Sequence, residues 1–215
     1  MSVAAESSRK CASIMSRLTE LSAATDIPVN ADYEGGYADA PDGVAANVKL
    51  CVDTGVAGLS IEDSTGNKDK PLYDIPFAVE RMKAARAAID KAAPDVLLTG
   101  RAEGFIAGVP DLEQMIARLK AYSAAGADVL YAPGLRRADE IRAVCEAVSR
   151  PVNVLAVSDL SFAEIAEAGA QRVSVGGALA WVAVKAMADA AAALREGDLS
   201  ALAARVPLED WLGAT

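Results

Sequence analysis

Short apolar runs of strand length alternate with longer stretches of helical spacing along the whole chain. That rhythm constrains the fold more than any other property of the sequence. The candidate strands span residues 28–31, 57–61, 96–100, 128–131, 152–156 and 172–175. Each is short and mostly apolar, as a strand covered on both faces must be. Helical spacing fills the gaps, over residues 9–24, 42–54, 77–92, 112–125, 138–149, 162–168 and 178–196; Val44, Val48, Cys51 and Val52, for instance, fall on one helical face. Three helix-to-strand junctions look alike: Thr54-Gly55-Val56, Ala125-Gly126-Ala127 and Ala168-Gly169-Ala170, each with glycine where a helix C-cap lies. Repeated βα units of this kind predict parallel strands with right-handed crossovers, and the repetition favours a closed barrel over an open sheet. The expected fold is therefore α/β, a (β/α) barrel of the TIM type. A complete eightfold barrel takes about 250 residues. Only six βα units can be picked out of these 215 residues, so the barrel is expected to be incomplete.

Nothing in the chain resembles a linker, and residues 1–215 read as a single barrel-like domain. Thirty acidic residues stand against 21 basic ones, with no basic run, which argues against a nucleic-acid or anionic-membrane surface. A small or metal-bridged ligand suits that balance better. The chain contains no histidine, so imidazole bases, His-based triads and His-containing zinc sites are excluded. Cys11, Cys51 and Cys145 are odd in number, form no CxxC pair and sit among apolar neighbours, the pattern of free thiols in a reducing compartment. The first ten residues lack the apolar core of a signal peptide, and the longest apolar stretch, 178–194, is interrupted by Lys185 and Asp189. A soluble, cytoplasmic protein is expected.

Charged residues gather where three of the strands end. Asp32 and Glu34 follow the first, with Gly35-Gly36 behind them; Glu62 and Asp63 follow the second; Arg101 follows the third. Strand ends are where ligands bind in α/β folds. Carboxylate oxygens converging from two strands suit Mg²⁺ or Mn²⁺. Solvated loop charges or helix caps are the alternative for each acid taken singly. Arg101 can grip a substrate carboxylate with paired hydrogen bonds or neutralise the acids as an ion pair. Residues 64–74 form a polar stretch punctuated by Gly66 and Pro71, with Lys68, Lys70 and Tyr73, a candidate lid. Asn153 lies within an apolar run, where a buried amide needs partners from the site or from neighbouring backbone.

The segments Pro-Val-Asn-Ala-Asp-Tyr-Glu-Gly-Gly-Tyr-Ala-Asp (28–39), Gly-Leu-Ser-Ile-Glu-Asp-Ser-Thr-Gly (58–66) and Arg-Ala-Glu-Gly-Phe (101–105) resemble the isocitrate lyase and phosphoenolpyruvate mutase superfamily. The likeness continues through residues 125–135, 151–156 and 172–179, and so runs from about Ile14 to the C-terminus. It implies an α/β barrel that holds Mg²⁺ by strand-end carboxylates and binds an α-keto or enolate-forming carboxylate. Members break or rearrange C–C or P–C bonds next to that carboxylate. By position, the resemblance assigns Asp32 and Glu62 to the metal, Arg101 to substrate and to catalysis with Glu62, and Asn153 to the pocket. Glu34 is an added carboxylate that could replace a missing metal ligand. Three departures stand out. Asn30 occupies a position where many members carry Asp. The lid has neither the Cys nor the His of the family's lyases, which argues against isocitrate or methylisocitrate cleavage. The family's first two βα units have no counterpart before Ile14.

Two functions follow as expectations. One is a Mg²⁺-dependent lyase, mutase or hydrolase of phosphonomutase type acting beside a keto-carboxylate, on a phosphonopyruvate-, oxaloacetate- or 2-hydroxy-diacid-like substrate. The other is a shortened, non-catalytic relative that keeps the scaffold to bind a ligand or to assemble. Residues 178–215 are apolar for a chain end and, as in the resembling family, are expected to take part in homo-oligomer contacts.

Overall fold

The computed structural model describes residues 3–156 and 159–203. Its elements run α1 (Val3–Ala24), β1 (Asn30–Ala31), α2 (Pro41–Val52), β2 (Gly58–Glu62), α3 (Ile75–Ala92), β3 (Leu97–Arg101), α4 (Leu112–Ala124), β4 (Val129–Tyr131), α5 (Ala138–Ala147), β5 (Val152–Leu155), α6 (Phe162–Glu167), β6 (Arg172–Ser174) and α7 (Ala178–Arg195), with a 3-10 turn at Ser200–Ala203. Each strand pairs parallel with the next, so the sheet order is the sequence order, β1 to β6. Strands in sequential parallel order, joined through helices, make an incomplete barrel of TIM type. The expected elements are all present, with ends shifted by a few residues. The largest differences are at α1, which begins at Val3 rather than at residue 9, and at β1, which is only two residues long.

Contacts divide the chain after Ser174. The sheet and α1–α6 form one compact unit, and the described residues from Val175 to Ala203 belong to a second. Within that second unit α7 buries none of its residues and exposes Leu179, Trp181, Val182 and Met187. The apolar segment 207–212, expected to join it in contacts, lies outside the described residues. Among the described residues no helix is long and apolar enough to cross a membrane.

Local chemistry explains the alternation. Gly55, Gly126 and Gly169 take φ of +85°, +102° and +103°, the left-handed conformation that lets a helix stop and the chain turn into the next strand. At the other helix ends, the Asp74 and Asp111 side chains accept from the backbone N–H of Phe77 and Gln114, while Ser161 and Glu164 form a reciprocal capping box. Side chains then alternate across the sheet. Leu59, Ile61, Leu98, Leu130, Val152 and Val154 face outward and are buried, together with Val44, Val48, Met82, Ile89, Leu119 and Ile141 of the helices. Burying one such leucine stabilises by about 1.5–3 kcal/mol. Gly100 shares that outer face; a side-chain carbon there would lie 2.9 Å from Cβ of Tyr122, so the missing side chain admits α4 against β3.

The loop after β1 is held by Arg81 of α3, which is 1% exposed. Its guanidinium donates to the carbonyls of Asp39 (3.1 Å), Glu62 (3.0 Å), Gly35 (2.5 Å) and Ala38 (3.0 Å) and lies 4.3 Å from the centroid of the Tyr73 ring. Burial lowers the Arg81 pKa from its ordinary value, against the pull of Tyr73 and Asp39. Within the clamped segment Glu34 and Tyr37 take φ of 46° and 54°. Residues with side chains adopt that region at roughly 1–2 kcal/mol each, so the turn needs such a clamp. Arg81→Met keeps the bulk and leaves four carbonyls without the buried donor they share. It is expected to lower unfolding stability by roughly 2–4 kcal/mol in urea titration; wild-type stability would show that the clamp is dispensable.

Candidate active site

The inner face of the sheet carries a polar row in register across five strands. Glu62 of β2 pairs with Arg101 of β3, Arg101 with Tyr131 of β4, Tyr131 with Asn153 of β5, and Asn153 with Arg172 of β6. Glu62, Arg101 and Tyr131 end their strands, where a parallel (β/α) sheet presents its reactive groups, whereas Asn153 is the second residue of β5 and Arg172 opens β6.

Arg101 is the centre of the acidic end. Its Nη1 donates to Asp32 at 3.0 Å, its Nε lies 3.4 Å from Glu62, and the same Nε bonds Glu103. The guanidinium carbon lies 5.3 Å from the centroid of the Tyr131 ring. Burial pulls the Arg101 pKa down, but the bond to Glu103 and the three carboxylates outweigh it and raise it above the ordinary value. The carboxylates are unequal. Asp32 keeps 68% of its side chain exposed and its ion pair contributes little. Glu103 keeps 7% and Glu62 15%. Burial, reinforced by Glu103, raises the Glu62 carboxyl from its ordinary 4.5 to about 7 despite Arg101. Burial raises Glu103 too, against its bond to Arg101.

Asp63, adjacent to Glu62, points to the opposite face and is 1% exposed. Its carboxylate accepts from the Glu103 backbone N–H (2.8 Å), Arg118 Nη1 (2.9 Å) and the Tyr122 hydroxyl (2.5 Å). Arg118 also donates to the Tyr73 carbonyl at 2.8 Å. Asp63 is thus the post on which the Glu103 backbone hangs, and through Glu103 it orients Arg101. Glu103, Asp63 as a positioning group, and Arg118 are absent from the set expected from sequence.

Asn153 is 1% exposed and finds its partners in side chains, not backbone: its Nδ2 donates to Ser174 Oγ at 3.1 Å, and its Oδ1 accepts from Arg172 Nη1 at 3.0 Å. Arg172 was not expected at the site. Glu34 sits on the exposed turn after β1, its carbonyl accepting from the Glu62 N–H at 3.0 Å. Residues 64–74 fold back on themselves, with a bridge between Ser64 and Leu72 and bonds from Thr65 N to Pro71 O and Tyr73 N to Asp63 O, both 2.9 Å; Lys68 and Lys70 are exposed. A cleft of about 950 Å³ reaches Glu34 and Glu62 and extends beneath α1 past Lys10, Met15 and Tyr37. Its walls do not include Arg101, so the cleft adjoins the polar row without containing it.

A divalent cation fits this chemistry in a limited way. Asp32, Glu62 and Glu103 present hard oxygen donors with one guanidinium among them, and burial, with Glu103 beside it, raises the Glu62 carboxyl. Yet among the described residues no three such side chains are gathered closely enough to cage a metal ion. A hydrated Mg²⁺ that keeps several waters and takes one or two carboxylates meets both observations.

Comparison with known proteins accords with this geometry. The phosphoenolpyruvate phosphomutase family model matches residues 3–195. An oxaloacetate decarboxylase of Paraburkholderia xenovorans is 32% identical over 185 residues, covering 82% of this chain and 60% of that one. Curated relatives of this kind are longer, and the chain spans 60 to 64% of the length of several of them. A solved structure from Burkholderia cenocepacia J2315, assigned provisionally as a lyase/mutase, superposes with a TM-score of 0.90 at 44% identity, covering 95% of this chain and 76% of that one. A phosphonopyruvate hydrolase solved with oxalate and Mg²⁺ superposes with a TM-score of 0.79 at 25% identity, covering 94% and 74%. With its parallel strand order, its polar strand ends and a family match over nearly the whole chain, this protein belongs to the phosphoenolpyruvate phosphomutase family, within the isocitrate lyase superfamily.

Proposed function

We propose that this chain serves a Mg²⁺-dependent enzyme that cleaves or rearranges a C–C or P–C bond next to an α-keto carboxylate, by way of an enolate. The observation that carries the proposal is the convergence of Asp32, Glu62 and Glu103 on Arg101 at the strand ends. Asp32 and Glu62 would hold the metal, with Glu34 available from the turn. When bound, Mg²⁺ supplies Lewis-acid polarisation of a keto oxygen. The chain's own residues do the rest. Arg101 exchanges an exposed partner, Asp32, for the substrate carboxylate while Glu103 keeps the guanidinium in plane. The Tyr131 ring backs that guanidinium. In the metal-free protein burial raises the Glu62 carboxyl to about 7, so a cation bound there would displace its proton. The hydrolase neighbour solved with oxalate and Mg²⁺ supports the reading, since oxalate has the shape and charge of an enolpyruvate. A non-catalytic scaffold is favoured by one observation, that Arg101 already fills the space between the carboxylates.

Calorimetric titration with Mg²⁺, with and without oxalate, separates the two. The enzyme reading expects oxalate binding that requires Mg²⁺ in the wild type and drops at least tenfold in Glu62→Gln. Absence of metal-dependent binding would favour the scaffold. Proton linkage offers an independent check on metal-free protein. Because the folded Glu62 carboxyl is raised from 4.5 to about 7, its contribution to stability is full below pH 4.5 and is lost as pH rises through 7. Glu62→Gln should therefore gain stability relative to wild type between pH 5 and pH 8, on the order of 2–3 kcal/mol. A difference independent of pH would show that Glu62 is not strained in this way. We propose further that residues 178–215, whose helix α7 exposes Trp181 and its apolar neighbours, pack in a homo-oligomer. Light scattering is expected to give a mass above one chain, and a strict monomer across concentrations would refute it.

A further inference from the structure

Tyr131 and Ser174 end β4 and β6, and Asn153 lies on β5 between them. A chain of bonds fixes which way the protons of this group point. Arg172 Nη1 donates to Asn153 Oδ1 at 3.0 Å. A guanidinium has no acceptor, so the amide oxygen must face it, and the amide nitrogen then donates to Ser174 Oγ at 3.1 Å. Asn153 is 1% exposed, and a buried amide is held to such partners. With its oxygen engaged by the amide, Ser174 turns its own proton to the Tyr131 oxygen, a donation that favours the ionised phenol. Tyr131 thus accepts from Ser174, and its own O–H has no acceptor among the described residues. Arg101 flanks the ring, its guanidinium carbon 5.3 Å from the centroid. Burial raises the Tyr131 pKa above its ordinary value, against the pull of Arg101 and with Glu103 and Asp32 adding to the rise, so the phenol keeps its proton at neutral pH.

We infer that the Tyr131 hydroxyl is the acid that protonates the enolate carbon, with Asn153 and Ser174 as the positioning groups that aim it. This rests on the enolate-site reading above and names a catalytic residue for it. Few other donors stand near the strand ends. The chain has no histidine. In the stretch 64–74 the Tyr73 hydroxyl is spent on Asp39, and Lys68 and Lys70 are exposed. A cation at Glu62 displaces that carboxyl's proton, and Glu103 accepts from Arg101. Tyr131 stands one strand away from Arg101, about 5 Å, so a ligand carboxylate gripped by Arg101 holds its neighbouring carbons within reach of the hydroxyl. In the step itself the π pair of the enolate takes the phenolic proton; a C–H bond forms at carbon, and the O–H pair stays on oxygen. Arg101 and the Ser174 hydroxyl stabilise the phenolate left behind, and water returns the proton after product leaves. A site that quenches its enolate in this way completes a cleavage, whereas a rearrangement needs no such acid.

Oxaloacetate with Mg²⁺ serves as the probe, pyruvate being measured above the rate of the metal alone, and Mg²⁺-dependent oxalate affinity is determined in parallel by calorimetry. Tyr131→Phe is expected to lower kcat at least 100-fold. Its KM and oxalate affinity should stay within fivefold, since oxalate accepts a hydrogen bond there but takes up no proton. Ser174→Ala should lower kcat roughly tenfold, and Ser174→Thr, which keeps the hydroxyl, should lose less. A fall in kcat of less than tenfold in Tyr131→Phe, or a loss of oxalate affinity as large as the loss of kcat, would overturn the assignment. Should wild type bind oxalate yet leave oxaloacetate intact, the hydroxyl is followed directly by NMR in protein carrying tyrosine labelled with ¹³C at Cζ. The Tyr131 signal, identified by its loss in Tyr131→Phe, is then expected to shift when oxalate and Mg²⁺ bind, and an unmoved signal would overturn the inference. If wild type neither binds oxalate nor turns over oxaloacetate, the enolate-site reading fails, and this inference ends with it.

Discussion

The buried guanidinium of Arg81 is the contact on which the upper rim of this molecule depends. It carries a full charge into the interior and answers it with the Tyr73 ring and with hydrogen bonds to carbonyl oxygens, those of Gly35, Ala38, Asp39 and Glu62. Carbonyl dipoles spread over two loops are a weak substitute for a carboxylate, and the lowered pKa of Arg81 reflects that. What the arrangement achieves is geometric. The turn after β1 and the end of β2 are tied to one rigid fork, so Asp32 and Glu62 keep a constant separation although both lie where strands give way to loops. Asp63 does the same for the next pair of elements, linking the end of β2 to Glu103 beyond β3.

Against that rigid frame the inner face concentrates negative charge. Hydration lost by Glu62 and Glu103 is replaced only in part by Arg101, and the unreplaced part appears as raised carboxyl pKa values. A cluster held in this state favours whatever cation or proton arrives, the condition expected of a site that must handle charge developing on a substrate.

Much of this was legible in the sequence. Parallel strands covered by helices need short apolar runs, and junction glycines mark where helices end, so the alternation and the incomplete barrel could be read directly. The strand-end acids and Arg101 were legible for the same reason, as charges that interrupt an apolar run. The period of two also separates Glu62 from Asp63, since neighbours in a strand face opposite sides. Arg81 and Arg118 left a fainter mark: each occupies a position on the apolar stripe of its helix, Arg81 between Ala78 and Ala85, Arg118 between Met115 and Tyr122. Glu103 and Arg172 could not be read. Glu103 reaches Arg101 because Asp63 holds its backbone, and Arg172 reaches Asn153 because β5 and β6 pair in one register; both are long-range facts with no local pattern.

Gly100 ties these layers together. Because it lacks a side chain, α4 lies close enough to β3 for Tyr122 and Arg118 to reach Asp63, and from there the connection runs to Glu103 and Arg101. The outer helix layer is therefore mechanically coupled to the inner surface through the thickness of the sheet. A family built this way can retune its chemistry by substitutions on a helix that never meets the ligand, so differences between relatives in the α4 stripe would be as informative as differences in the pocket itself.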